Sequence, residues 1–296
     1  MKRYFPLILI LTFGALMLSE PESASAAARE GMALCARTVV PSLFPFFVVT
    51  ALLLRLGLDS LLRPLCAPIM GPLFRLRGEC AAPLLAGFLG GYPTGARAAA
   101  QLYEQGAITR SEAERLLGFC NNCGPGFLIG FVGTEVLGSA AAGAALLLVH
   151  IAAGLLSGVI ICNLPGREDR LALPCRLPGE CCSLPKALTV SVSGALTSTL
   201  SICAYVVFFR TAAALVNLPC LAAGVVEMVS GLSGLSEGPA GFVAAAGLTA
   251  WGGLSVHCQT MAVAGELSMK YHAIGKLVQT VLSVVLAVAV AQRGYG

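Results

Sequence analysis

Residues 87–97 read Gly-Phe-Leu-Gly-Gly-Tyr-Pro-Thr-Gly-Ala-Arg inside an otherwise apolar stretch. Gly90-Gly91 and Pro93-Thr94-Gly95 break a helix there and free backbone N–H and C=O groups to face a ligand. Gly91, Tyr92, Pro93, Thr94 and Gly95 are therefore candidate solute-binding residues, with Arg97 in the first turn of the next segment. The bland alternative is a tight packing turn whose arginine snorkels to an interface. A charge within a membrane segment is costly, and that cost favours function.

A second cluster is Phe119-Cys120-Asn121-Asn122-Cys123-Gly124-Pro125-Gly126. Asn121 and Asn122 beside a broken helix can hydrogen-bond a polar solute, or can simply cap the break. Upstream, Ser111 followed by Glu114 has capping-box spacing and predicts a helix start.

In the second half the polar groups in apolar surroundings are Glu227, Ser255, His257 and Gln259. Residues 255, 257 and 259 share one face only if extended, whereas on a helix 255 and 259 align. His257 has the chemistry of a proton carrier or ligand group, and equally that of a satisfied structural histidine. Glu227 is the more expensive residue and the better candidate for cation coupling or for pairing with Arg97.

Other chemistries are poorly supplied. Of the 12 cysteines, Cys35, Cys66, Cys80, Cys162, Cys203 and Cys258 are scattered through apolar segments, where free cysteine acts as a small hydrophobe. Cys120 and Cys123 form a lone C-x-x-C, a weak zinc signal. Cys175, Cys181 and Cys182 fall in a loop read as cytoplasmic, so reduced thiols are expected. No metal site and no cofactor is expected. Hydrolase, zincin, Walker and dinucleotide motifs are absent from the sequence, so an enzyme is not expected.

The elements that position these groups follow from composition. The 296 residues carry 34 charged side chains, 11% of the chain, against about 25% in soluble domains. The hydrophobic fraction is 57% and the mean hydropathy +0.84. Too few polar groups remain to cover a soluble surface, which excludes a cytosolic enzyme, a disordered chain, a coiled coil and a collagen-like fibre. The net charge of +4 is no footprint of nucleic-acid binding. The 34 glycines and 16 prolines fit tight helix packing and interrupted spans. The expectation is an all-α polytopic membrane protein, with the lipid bilayer as its first partner.

Charge-free runs at 136–166, 187–209 and 277–292 read as simple spans, and 38–54 as part of one kinked by Pro41 and Pro45. Runs 80–96 and 238–265 are too rich in glycine and proline for lipid-facing helices and read as broken or re-entrant helices lining an internal site. Lys2-Arg3 before apolar residues 4–19 resembles a signal peptide, with Ala24-Ser25-Ala26 as a cleavage site; positive-inside logic favours an uncleaved signal anchor. Arg55, Arg63, Arg75 and Arg77, then Arg167, Arg170, Arg176 and Lys186, place 55–79 and 163–186 inside and the acidic 20–30 outside.

A weak internal repeat aligns Ser42-Leu43-Phe44-Pro45-Phe46-Phe47 with Ser201-Ile202-Cys203-Ala204-Tyr205-Val206, and residues 90–97 with 252–259. On the charge map the copies enter from opposite sides. The expected architecture is two inverted-topology repeats with broken helices meeting at the midplane.

The motifs at 91–97, 119–125, Glu227-Met228 and 252–259 occur in the order that resembles the sporulation integral membrane protein family of the YlbJ type. That family belongs to the wider group carrying a nucleoside recognition, or Gate, domain. The resemblance covers about residues 31–290. The resemblance implies a multi-pass protein of the inner, cytoplasmic membrane of bacterial spore formers, with a domain similar to part of concentrative nucleoside transporters. The expected organisation is 1–30 signal anchor or signal peptide with the first loop, 31–163 Gate-like repeat 1, 164–186 cytoplasmic loop and 187–296 repeat 2. The expected function is a permease-like protein binding a small polar solute, nucleoside-like or other, among Arg97, Asn121, Asn122, Glu227, His257 and Gln259. The alternative is a non-transporting scaffold or assembly factor for the spore envelope or cortex. Other sporulation membrane proteins or a second copy of the chain are the protein partners the resemblance leaves open.

Overall fold

The computed structural model describes residues 4–164 and 183–294, and every regular element among them is a helix. The chain is an all-α, multi-pass membrane protein. The arginines at 167, 170 and 176, the cysteines at 175, 181 and 182, and most of the loop expected at 164–186 lie outside the described residues.

The chain opens with α1 (Phe5–Ser19) and α2 (Pro21–Leu34), then a π-helical turn (Cys35–Val39) and α3 (Val40–Arg55). Pro41 and Pro45 each lack a ladder N–H, and the chain from Pro21–Val39 to Leu43–Leu53 bends by 52°. The kink expected from these prolines is thus present. Then come α4 (Leu58–Phe74), α5 (Ala81–Gly90), α6 (Thr94–Glu104) and α7 (Arg110–Leu117). A π-helix (Gly126–Val136) leads into α8 (Ala140–Cys162), whose first turn is capped by the Ser139 hydroxyl accepting from Ala142 N–H. The second half comprises α9 (Leu184–Leu215), α10 (Cys220–Val226), α11 (Met228–Leu232), α12 (Pro239–Trp251), α13 (Gly253–Ala264) and α14 (Lys270–Arg293).

Among the described residues, four apolar stretches are long enough to cross a bilayer: Ala140–Cys162, Leu184–Leu215, Pro239–Ala264 and Lys270–Arg293; the bent pair Pro21–Val39 with Leu43–Leu53 makes a fifth. At about 1.5 Å per residue each covers the roughly 30 Å hydrocarbon core. Three of these contain the runs expected to be simple spans, except that of the run 136–166 Val136 ends the π-helix, 137–139 form the turn before α8, and the run's last residues fall beyond Cys162. The two glycine-rich runs are interrupted, one at Gly91–Pro93 and one at Gly252. The second still has the length and hydropathy of a single broken crossing.

α14 is built inside out relative to a soluble helix. Leu277, Val281 and Val285 are 57%, 64% and 60% exposed, a stripe for lipid, while His272, Lys276, Gln279 and Ser283 on the opposite face are fully buried. α14 packs against α12, α8 and α7, and α9 packs against α2 and α3. Glycine sets the closest approaches. A methyl group on Gly87 or Gly95 would collide with the Cys120 carbonyl, so α5 and α6 close directly on the chain after α7.

The start of α7 is displaced from the expected position. Thr109 is the N-cap and Glu112 the reciprocal partner, in place of Ser111 and Glu114. Both pairs have the same spacing. Glu112 also accepts from the Arg77 guanidinium at 2.7 Å, which favours the earlier register, while Glu114 accepts from Arg110 at 2.8 Å and from the Ser268 backbone N–H at 3.0 Å.

Candidate functional site

The two interruptions meet. Gly91 has φ 73°, and Gly252 and Gly253 have φ 82° and 76°, a left-handed backbone that glycine adopts without the cost other residues meet. Tyr92, held between α5 and α6, donates its hydroxyl proton to the Thr249 carbonyl at 3.1 Å, in the last turn of α12. Ser255 and Gln259, one turn apart on helical α13, are both buried. Of the two geometries considered for residues 255–259, the helical one is therefore present.

Behind Tyr92 lies Lys276 of α14, with no exposed surface. Its Nζ donates to the Tyr92 hydroxyl at 3.0 Å, to the Asn121 carbonyl at 2.5 Å and to Gln279 Oε1 at 2.9 Å, and stands 4.9 Å from the Tyr92 ring centroid. Gln279 Nε2 donates to Asn122 Oδ1 at 2.8 Å, and Asn122 donates back to the Phe119 carbonyl at 2.7 Å. Asn121 Nδ2 donates to Thr260 Oγ1 at 2.7 Å. The Asn121-Asn122 break is thus cross-linked to α13 and α14 by side-chain amides, with Asn122 also capping its own helix.

Two histidine positions border this network. His150 of α8 accepts the Cys123 backbone N–H on Nε2 at 3.2 Å. His272 and His257 are joined Nε2 to Nδ1 at 3.1 Å, and His272 Nδ1 faces the Leu117 carbonyl at 3.0 Å. A carbonyl only accepts, so His272 carries its proton on Nδ1 and His257 donates from Nδ1 to His272 Nε2. The buried atoms His257 Nε2, Asn121 Oδ1, Gln259 Oε1 and His150 Nδ1 have no hydrogen-bond partner among the described residues. Such groups are rare in folded proteins and mark places where a solute or water completes the bonding.

Between the interruptions lies a cavity bordered by Gly91, Tyr92, Cys123, Glu227, Ser255 and Gln259, with Phe46, Phe47 and Phe127 on its apolar walls. Its room for water centres is about 50 Å³, enough for roughly three or four water molecules. Glu227 is buried at the junction of α10 and α11 and accepts the backbone N–H groups of Val229 at 2.9 Å and Ser230 at 2.7 Å. Ser230 Oγ accepts from Arg210, which pairs with Glu30 at 2.9 Å. Arg210, rather than Arg97, is the cation next to the Glu227 cap.

The sequence candidates therefore separate. Gly91, Tyr92, Glu227, Ser255 and Gln259 border the cavity; Asn121 and Asn122 lie behind it, bound to the Lys276 and Gln279 side of α14; His257 turns toward His272 and Trp251. Pro93, Thr94 and Gly95 form the turn into α6, where Thr94 Oγ1 donates to the Gly90 carbonyl at 3.4 Å. Arg97 is exposed on α6 and takes no part in the network. Lys276, Gln279, His272 and His150 were not among the sequence candidates. Their signal was the spacing 272, 276, 279 and 283, which places four polar residues on one face of an apolar helix. His150 carries the same signal singly, in the middle of a charge-free span.

The model of the family described as nucleoside recognition, called Gate, matches residues 36–225. The chain is 32% identical over 156 residues to the sporulation integral membrane protein YlbJ of Bacillus subtilis (strain 168). That alignment takes in 53% of this chain and 38% of the relative, so it spans well under half of the longer protein. No solved structure matches.

Proposed function

The chain belongs to the Gate, or nucleoside recognition, family, and on that premise we propose that it is a permease-like membrane protein of sporulation that binds a small polar solute between its two interrupted helices. The observation that carries this reading is the cavity where the Gly91–Pro93 and Gly252 interruptions meet, with the unpaired Gln259 Oε1 on a residue that lines it. Broken helices at membrane depth are the usual way secondary transporters expose backbone groups to a solute. Phe46, Phe47 and Phe127 offer flat apolar walls, while Glu227, Ser255 and Gln259 offer hydrogen bonds. A planar heterocycle with polar edges, nucleoside-like in chemistry, suits that combination.

In this reading residues 31–163 and 187–296 are inverted repeats that rock against one another around the cavity. The present cavity is too small for a nucleoside, so the described conformation is occluded and the halves separate to admit solute. Gly91, Tyr92, Glu227, Ser255 and Gln259 contact it; Asn121, Asn122 and His257 hold those groups in place.

The test is flux into proteoliposomes of nucleosides, small heterocyclic carboxylates and inorganic ions. Gln259→Ala and Glu227→Gln are expected to lower uptake at least tenfold, whereas Arg97→Ala, on the exposed face, leaves it near wild type. If no solute moves through the wild-type protein, a non-transporting scaffold of the spore envelope becomes the better description.

A further inference from the structure

We propose that the ammonium of Lys276 fills a monovalent-cation site made by the Tyr92 hydroxyl, the Asn121 carbonyl and the Gln279 side-chain oxygen, so that the chain carries its coupling cation covalently and exchanges a proton where a metal ion would otherwise bind. The coupling part rests on the transport reading above; the cation site does not.

The hydrogen-bond directions leave little choice. The Tyr92 proton is committed to the Thr249 carbonyl, so its oxygen accepts from Lys276. The Asn121 carbonyl can only accept. Reversing the Gln279 amide would turn its NH₂ group against the Lys276 amine and leave its oxygen facing Asn122 Oδ1, so Oε1 faces Lys276. Three converging acceptors need three N–H donors, which the side chain supplies only as the ammonium. Oxygen atoms from three separate elements, with an aromatic face alongside, form the coordination sphere of a small cation.

The charge has no carboxylate partner within 4.0 Å among the described residues. The titratable groups in its electrostatic reach are Cys120 and Cys123 before the π-helix, His150 on α8, His257 on α13 and His272 on α14, with Tyr92 in direct contact. Loss of one proton, from –NH₃⁺ to –NH₂, removes a donor and orphans one of the three acceptors. That loosens the joint between Tyr92 and α14, and the proton passes to water in the cavity that Tyr92 borders. Buried lysine is suited to such exchange, because its ammonium is a point charge that the surroundings can release.

Two experiments on the full-length protein in nanodiscs decide the matter. In the first, Lys276→Ala is melted in 0–100 mM NaCl, with choline chloride holding ionic strength constant. For a vacated site with a Kd of about 10 mM, its Tm rises by about 3 °C while the wild type stays flat. A folded Lys276→Ala protein indifferent to Na⁺, K⁺ and Li⁺ overturns the site. In the second, the fluorescence of Trp251, the sole tryptophan, is followed from pH 7 to 10. The wild type titrates, and Lys276→Arg, which cannot lose its proton, does not. Identical profiles overturn the proposal even if Lys276→Ala fails to fold. Neither readout needs a transported solute. Absent flux with a sodium-responsive Lys276→Ala would remove only the transport reading.

Discussion

The Tyr92 hydroxyl donates to the Thr249 carbonyl across 157 residues of sequence, at 3.1 Å, tying the first interrupted helix to the last turn before the second. The same oxygen accepts from Lys276, so one phenol joins both interruptions to α14.

Tyr92→Phe keeps the ring and removes both hydrogen bonds. It leaves a buried carbonyl short of a donor and an ammonium short of an acceptor, at a cost of about 2–3 kcal/mol. Thermal unfolding of the variant in nanodiscs measures this directly. A loss below about 0.5 kcal/mol would mean that water replaces the hydroxyl and that the joint is not closed.

Gly95→Ala places a methyl group against the Cys120 carbonyl, which is backbone and cannot rotate aside. Overpacking of this kind costs about 1–3 kcal/mol or more. Gly194→Ala on α9 meets nothing within 4 Å and is expected to be neutral or to stabilise by up to about 1 kcal/mol. Equal effects of the two variants would contradict the close packing of α6 on the chain after α7.

Acid titrates the pair that anchors α7. Burial by itself opposes the Glu112 charge, yet the Arg77 guanidinium and the Thr109 N–H outweigh it and hold the carboxyl below its ordinary range. A depressed folded-state value means the stabilisation is present above the ordinary carboxylate range and is lost as pH falls through the lowered value. Glu112→Gln should therefore be less stable than wild type at pH 7, by on the order of 1 kcal/mol, and indistinguishable from it at the acid end. A difference between the two that stays constant from pH 7 to pH 3 would show that Glu112 acts by shape alone.

The histidine pair has a fixed proton order. Nitrogen-15 NMR of histidine-labelled protein should report Nδ1–H tautomers for both His272 and His257. His272→Ala would orphan the Leu117 carbonyl and the His257 N–H together, and should cost about 2–4 kcal/mol. An Nε2–H signal for His272 would reverse the direction of the relay.

Membrane class and the interrupted helices were legible because hydropathy and glycine spacing are local properties, and local rules survive folding. Gly91 and Gly252 fall where the sequence pointed. The centre of the polar network was not found, although its residues are spaced at 272, 276, 279 and 283. Scanning for charge-free runs starts a span at 277 and leaves Lys276 looking like a boundary residue. Arg97 drew attention as a charge beside a break, but one helical turn decides whether such a group faces protein or surroundings, and the sequence does not set that rotation. The capping box failed by two residues because two Thr/Ser-x-x-Glu frames overlap, and the contact that separates them comes from Arg77, 35 positions away.

Lys276 reaches acceptors that precede it by 184 and 155 residues, in interrupted segments made well before α14. A lysine two turns into an inserting helix opposes partition into lipid, a cost that reaches about 3 kcal/mol at a helix centre, and the valines and leucines of α14 must carry it across. α14 therefore enters the bilayer with a polar face that only the earlier helices can shelter. Until α14 packs, the Asn121 carbonyl and Asn122 Oδ1 lack the donors that Lys276 and Gln279 supply, so the first half of the chain is completed only by its last helix.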